Sequence, residues 1–76
     1  MDVAGTLEGL QPYEIHGTRY YRVFYSHADD PDQILECRLP GDALYARAKA
    51  GDPVIITYLL KTVMAIAPRS EHPQPD

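Results

Sequence analysis

Seventy-six residues, 45% hydrophobic and 24% charged, suffice for one small domain but not two, since independent domains start at roughly 50 residues. Seven basic against eleven acidic residues leave a net charge of −4, which argues against a nonspecific duplex-DNA binder, whose affinity rests on neutralising phosphates. Cys37 is the only cysteine, which excludes an intramolecular disulfide and a cysteine-based zinc site.

Met1-Asp2-Val3-Ala4-Gly5 has neither a basic n-region nor an apolar h-region, so it does not read as a secretory signal. The longest apolar run, Val54 to Leu60, is far short of the ~20 residues that a membrane span needs. The expectation is a soluble, cytoplasmic protein without a membrane partner. Whether it is part of a longer chain stays open.

Val3, Gly5, Leu7 and Gly9 alternate with Ala4, Thr6 and Glu8, the period of a strand. The two glycines predict bends or bulges. Gln11-Pro12 is expected to break this strand, and Tyr13 to His16 to form a short hairpin arm closed by Gly17. Thr18 to Ser26 (TRYYRVFYS) is rich in aromatic and β-branched residues and gives the clearest strand signal. His27 to Asp32 (HADDPD) reads as a loop with Pro31 as breaker. Gln33 to Leu39 reads as the third strand, with Leu35, Cys37 and Leu39 on one face and Ile34, Glu36 and Arg38 on the other. Cys37 is expected to act as a small buried strand residue in a reducing compartment.

Pro40-Gly41 ends that strand. Asp42 is a good N-cap, Ala43 to Ala50 (ALYARAKA) has high helix propensity, and Gly51 fits the C′ position. A short helix is therefore predicted there, with Leu44 and Ala48 as its apolar stripe. Val54 to Leu59 is a fourth strand, and the apolar pattern resumes to Ala67. Unbroken, that run would span about 46 Å, so a turn is predicted near Leu60-Lys61-Thr62. Residues 1–67 form the predicted domain. Residues 68–76, with three prolines and no large apolar residue, read as a disordered tail.

The order strand, strand, strand, helix, strand, strand resembles the OB-fold, a five-stranded Greek-key barrel with a helix between its third and fourth strands. The fold class expected is thus mainly β: a small five-stranded OB-like barrel, or an SH3-like one, with one short helix. The resemblance implies a ligand face on strands two and three, flanked by the first and last hairpin loops. Carried over by position, it names Tyr20, Arg22 and Phe24 on strand two and Glu36 and Arg38 on strand three. It adds Tyr13 and His16 in the first loop and Lys61 in the last.

The residues themselves point to the same face. Tyr21, Val23 and Tyr25 make the better core side of strand two, having no charge at their centre. Tyr20, Arg22 and Phe24 are left outward, a combination enriched at protein interfaces and also able to stack on bases. A plainer reading pairs Arg22 with a neighbour such as Glu36 and packs the rings on long side chains. Asp29, Asp30, Asp32 and Glu36 lack the spacing of a calcium loop, and His16 and His27 sit at opposite ends of strand two. No phosphate loop or nucleophile elbow occurs. No catalytic residue, metal or cofactor is therefore expected. The functional expectation is a non-enzymatic protein-interaction or self-association module, working with a protein partner or a second copy. The alternative is a single-stranded nucleic-acid binder, disfavoured by the acidic charge.

Overall fold

A computed structural model describes residues 1–69. Five strands, β1 (Asp2–Ile15), β2 (Thr18–His27), β3 (Asp30–Pro40), β4 (Pro53–Leu59) and β5 (Thr62–Pro68), form one antiparallel sheet in the order β3-β2-β1-β4-β5. β3 and β5, the two edges, approach one another, but no ladder joins them among the described residues. The class is mainly β, as expected, without a closed barrel.

The core forms where this sheet curls on itself. Leu7, Val23, Tyr25, Leu39, Leu44, Val54, Ile56 and Ile66 are its buried side chains. They alternate with exposed or half-buried neighbours, as the strand period of two requires, except that buried Ser26 directly follows Tyr25, where the ladder to β3 shifts register. Val23 and Tyr25 lie on this face with Tyr21 beside them, as the charge pattern of strand two predicts. Cys37 faces Val23 across the β2–β3 ladder and is half-buried. Burial pushes its thiol up to about 11, so it stays protonated at neutral pH.

Gln11-Pro12 does not break the first strand. Ile15 pairs with Thr18 around His16-Gly17, whose φ angles of +52° and +81° are those of a type I′ turn. Counting back from a two-residue turn, pairs alternate between hydrogen-bonded and non-hydrogen-bonded, which puts Pro12 opposite Tyr21 in a pair of the second kind. Its nitrogen then faces the other edge of β1, where β4 reaches only as far as Thr6. A proline there removes no ladder bond. Tyr13 thereby belongs to the strand and not to a loop.

The β2–β3 loop is shorter than predicted. His27 pairs with Asp30, leaving only Ala28-Asp29 between the strands, and the ladder then shifts register between His27 and Tyr25, which pairs with Leu35. Pro31 lies in an edge strand, where its missing donor is tolerated.

The helix predicted over Ala43 to Ala50 is absent. One 3-10 turn, Gly41–Ala43, follows Pro40, and Asp42 makes no capping bond. Leu44 is extended (φ −119°, ψ 138°) and forms a parallel bridge with Ile66. A helix this short is marginal without a buried stripe, and the loop has better partners. Gly51 N donates to Leu7 O, Leu7 N donates to Asp52 O, and Asp52 Oδ2 accepts from the Tyr45 hydroxyl and the Lys49 amide. Tertiary bonds override propensity here. Leu44 and Ala48 still reach the core, as predicted, from a loop instead of a helix.

The turn at Leu60-Lys61 is as predicted, with Leu59 paired to Thr62. β5 runs one residue past the predicted domain end, to Pro68. Arg69 donates from its backbone to Pro53 O and from its guanidinium to Val54 O and Gly5 O. The remainder of the predicted tail, 70–76, lies outside the described residues.

Candidate interaction face and a second recess

β1 and β2 continue well past the core. Fourteen extended residues, as in β1, would span about 46 Å, close to the 45 Å long dimension of the molecule. None of residues 11–20 is buried. This two-stranded arm makes no core, yet it carries ordered aromatic contacts.

Tyr13 and Tyr20 face each other across the hairpin, with ring centroids 5.7 Å apart and planes at 21°. Stacking of this kind holds the two rings against each other across the hairpin. The next outward row is Gln11, Arg22 and Arg38; beyond it lie Gly9, Phe24 and Glu36. Arg22 Nε donates to Glu36 Oε2 at 2.5 Å, and its Cζ stands 5.5 Å from the Phe24 ring centroid. The Arg22 hydrogen bond holds the Glu36 carboxyl below its usual range, with Arg38 adding to the pull. The same bond raises the Arg22 guanidinium further. Both partners are over a third exposed, so solvent screening leaves the pair little net stability.

Arg38 lies directly opposite Arg22 and makes no ion pair among the described residues. With Gln11, Pro12 and Tyr13 the two arginines border an open depression of about 620 Å³. The structure therefore brings six of the eight predicted residues onto one face: Tyr13, Tyr20, Arg22, Phe24, Glu36 and Arg38. It also places the plainer Arg22–Glu36 pair within that face.

His16 and Lys61 do not join it. His16 caps the tip of the arm, while Lys61 follows β4, whose end lies beside the start of β1. The two loops flank opposite ends of β1.

Lys61 borders a different feature. At the start of β1, Tyr25, Tyr58 and His27 form a hydrogen-bonded chain: Tyr25 Oη to Tyr58 Oη at 2.8 Å, and Tyr58 Oη to His27 Nε2 at 2.8 Å. The His27 and Tyr58 rings meet edge to face at 79°. Burial, reinforced by the Tyr58 bond, pushes the Tyr25 phenol well above its usual range. Tyr58 was not singled out in the sequence. The signal for it was weak: a polar ring in an otherwise apolar strand, far in sequence from its partners.

Asp29, Asp30, Asp32 and Glu36 do not converge, and no group of three or more potential metal ligands gathers among the described residues. No helix among them is long and apolar enough to cross a membrane. No family model, curated protein or solved structure matches the chain.

Proposed function

We propose that the protein is a non-enzymatic interaction module that engages a protein partner, in the first instance a second copy of itself, through the outer face of the β1–β2 arm and β3. One observation carries this reading: the arm buries nothing, yet it presents the Tyr13–Tyr20 stack beside Arg22 and Arg38. Aromatic and arginine side chains at the centre of a patch are the usual energetic anchors of an interface. Arg38 is available for a partner carboxylate, and the chain is acidic overall.

We read the sheet as the OB type, supported by the strand order and by β1 pairing with both β2 and β4; the missing helix is its main departure. That reading supports a second occupant of the same face, single-stranded nucleic acid, with the stacked tyrosines as base platforms.

Sedimentation equilibrium from micromolar to millimolar protein tests the first reading, using the parent, Tyr20→Ala and Arg38→Glu. The parent should associate, and each variant should fold normally and weaken association at least tenfold. A monomeric parent, or variants that associate like the parent, overturns self-association. Titration with a fifteen-nucleotide oligothymidylate at two salt concentrations tests the second reading. Salt-sensitive binding lost in Arg38→Glu would move the assignment to nucleic acid.

A further inference from the structure

A second site lies away from the arm, where the end of β2, the start of β1 and the β4–β5 turn meet. It is an open recess of about 410 Å³, within the size range of small-ligand sites. Val3, Leu35 and Leu60 supply apolar walls, and the Tyr25–Tyr58–His27 chain supplies the polar groups. Met1 N donates to Tyr58 O and Tyr58 N to Met1 O, so the β1 start is fastened to β4 beside it.

Three observations say what would bind. First, no Asp or Glu lines the recess, in a chain with eleven of them, while Lys61 does and makes no ion pair among the described residues. Lys61 is thus the charged side chain of the lining, with Asp30 paired to His27 at its edge. Second, the two phenols and the imidazole own at least three N–H or O–H donors, and the two bonds within the chain use two. One donor remains in every tautomer, suited to an acceptor. Third, Leu60 holds φ at +59° and is 92% exposed. That is the first loop position of a tight hairpin, where glycine is usual. A bulky apolar residue held there in water incurs backbone strain and loses the benefit of burial at once. Both features fit a side chain kept to cover an apolar ligand.

We propose that this recess binds a small amphipathic carboxylate, a medium-chain fatty acid being the simplest example. Its apolar body lies on Leu60, Val3 and Leu35, and its carboxylate faces Lys61 and the spare donor of the His27–Tyr58–Tyr25 chain. The site is independent of the arm and does not rest on the self-association reading.

The test uses the full chain labelled with ¹⁵N and titrated at pH 7 with decanoate below its micelle concentration. Saturable amide shifts should appear at Tyr58, Leu60, Lys61 and His27, and not at Tyr13 or Arg38. Decyltrimethylammonium should bind at least tenfold more weakly. Lys61→Ala should weaken decanoate at least fivefold. Leu60→Gly should melt at least as high as the parent while binding decanoate at least fivefold more weakly, a combination that a purely structural leucine would not give. Absence of saturable shifts, shifts confined to the arm, equal affinity for the ammonium amphiphile, or full affinity in both variants would each overturn the proposal. So would capture by decanoate-doped phosphatidylcholine vesicles without binding to the monomeric acid, which would make the ligand a membrane surface.

Discussion

Gly5 should be irreplaceable, although its backbone is ordinary strand. A Cβ built on it would stand 2.2 Å from the Ser26 carbonyl oxygen and 2.7 Å from Ile56 Cδ1, where non-bonded atoms prefer about 3.5–4.0 Å. The Ile56 methyl has no room to retreat, because Ile56 is fully buried. The Ser26 oxygen is backbone, and β2 is fixed there by the Thr6–Ser26 and Gly5–His27 pairs and by the Ala28 N to Ala4 O bond of 2.9 Å. Gly5→Ala must therefore push β1 and β2 apart by about an ångström, which puts it in the upper half of the overpacking range, about 2–3 kcal/mol. A domain of this size holds only about 3–5 kcal/mol in total, so the melting temperature should fall by about 10–20 °C. Gly9 is the control: its added Cβ would meet only Phe24 Cδ2, at 3.8 Å, an ordinary contact. Gly9→Ala should be neutral or stabilise by up to about 1 kcal/mol, because alanine restricts the unfolded chain. Thermal and urea melts followed by circular dichroism measure both. A Gly5→Ala loss under about 0.5 kcal/mol, or a Gly9→Ala loss exceeding it, would refute this account of β1.

Leu44→Ala should cost about 2–4 kcal/mol, since the side chain is buried beside Ile66 without a helix to hold it; urea melts showing under about 1 kcal/mol would mean that the loop is not part of the core. Val23→Ala should destabilise by about 2 kcal/mol whereas Phe24→Ala should stay within about 1 kcal/mol, because Val23 is fully buried and Phe24 is on the outer face; the reverse order in thermal melts would invert the face assignment. Acid should weaken the fold through Asp52 and Glu36. The Tyr45 hydroxyl holds the Asp52 carboxyl below its usual range and Arg22 does the same for Glu36. A lowered carboxylate stabilises fully above its unfolded pKa, about 4, and that contribution disappears as pH falls through the lower folded value. Urea midpoints measured from pH 7 to pH 2 should fall in this acid range, and less steeply in Tyr45→Phe and Arg22→Ala than in the parent; identical acid limbs would discount both pairs.

Strand two shows what was legible in the sequence. Its two faces differ in charge, and burial follows that difference: Val23 and Tyr25 go in, Arg22 stays out. The turn at Leu60-Lys61 was likewise legible, from a length argument alone. That argument does not hold for every strand: β1 runs fourteen residues unbroken because its second half leaves the core. The helix failed for a different reason. Propensity over eight residues is a weak prior, and nothing local in ALYARAKA announces that Gly51 and Asp52 will bond to Leu7. Pro12 was misjudged because its cost depends on which edge its nitrogen faces, and that follows only from the turn phase.

The candidate sites divide along the same line. The arm was partly legible, because once His16-Gly17 is taken as a two-residue turn, Ile15 pairs with Thr18 and Tyr13 must then meet Tyr20. Register alone delivers the stack, and two strands of a hairpin need nothing from the rest of the chain. The recess could not be found that way. Tyr25 and Tyr58 lie 33 residues apart, on strands that are not neighbours, since β1 runs between β2 and β4. They meet only because the sheet curls, and its ladders shift register after Leu7, Tyr25 and Thr57, irregularities of the kind that bend a sheet. A bulge adds one residue and turns the strand's later side chains to the opposite face from simple alternation. The residue inserted after the Thr57–Ala65 pair is Met64 of β5, so that Tyr58, and not Leu59, pairs with Val63, while Tyr58 keeps the side of buried Ile56 two places before it by plain alternation.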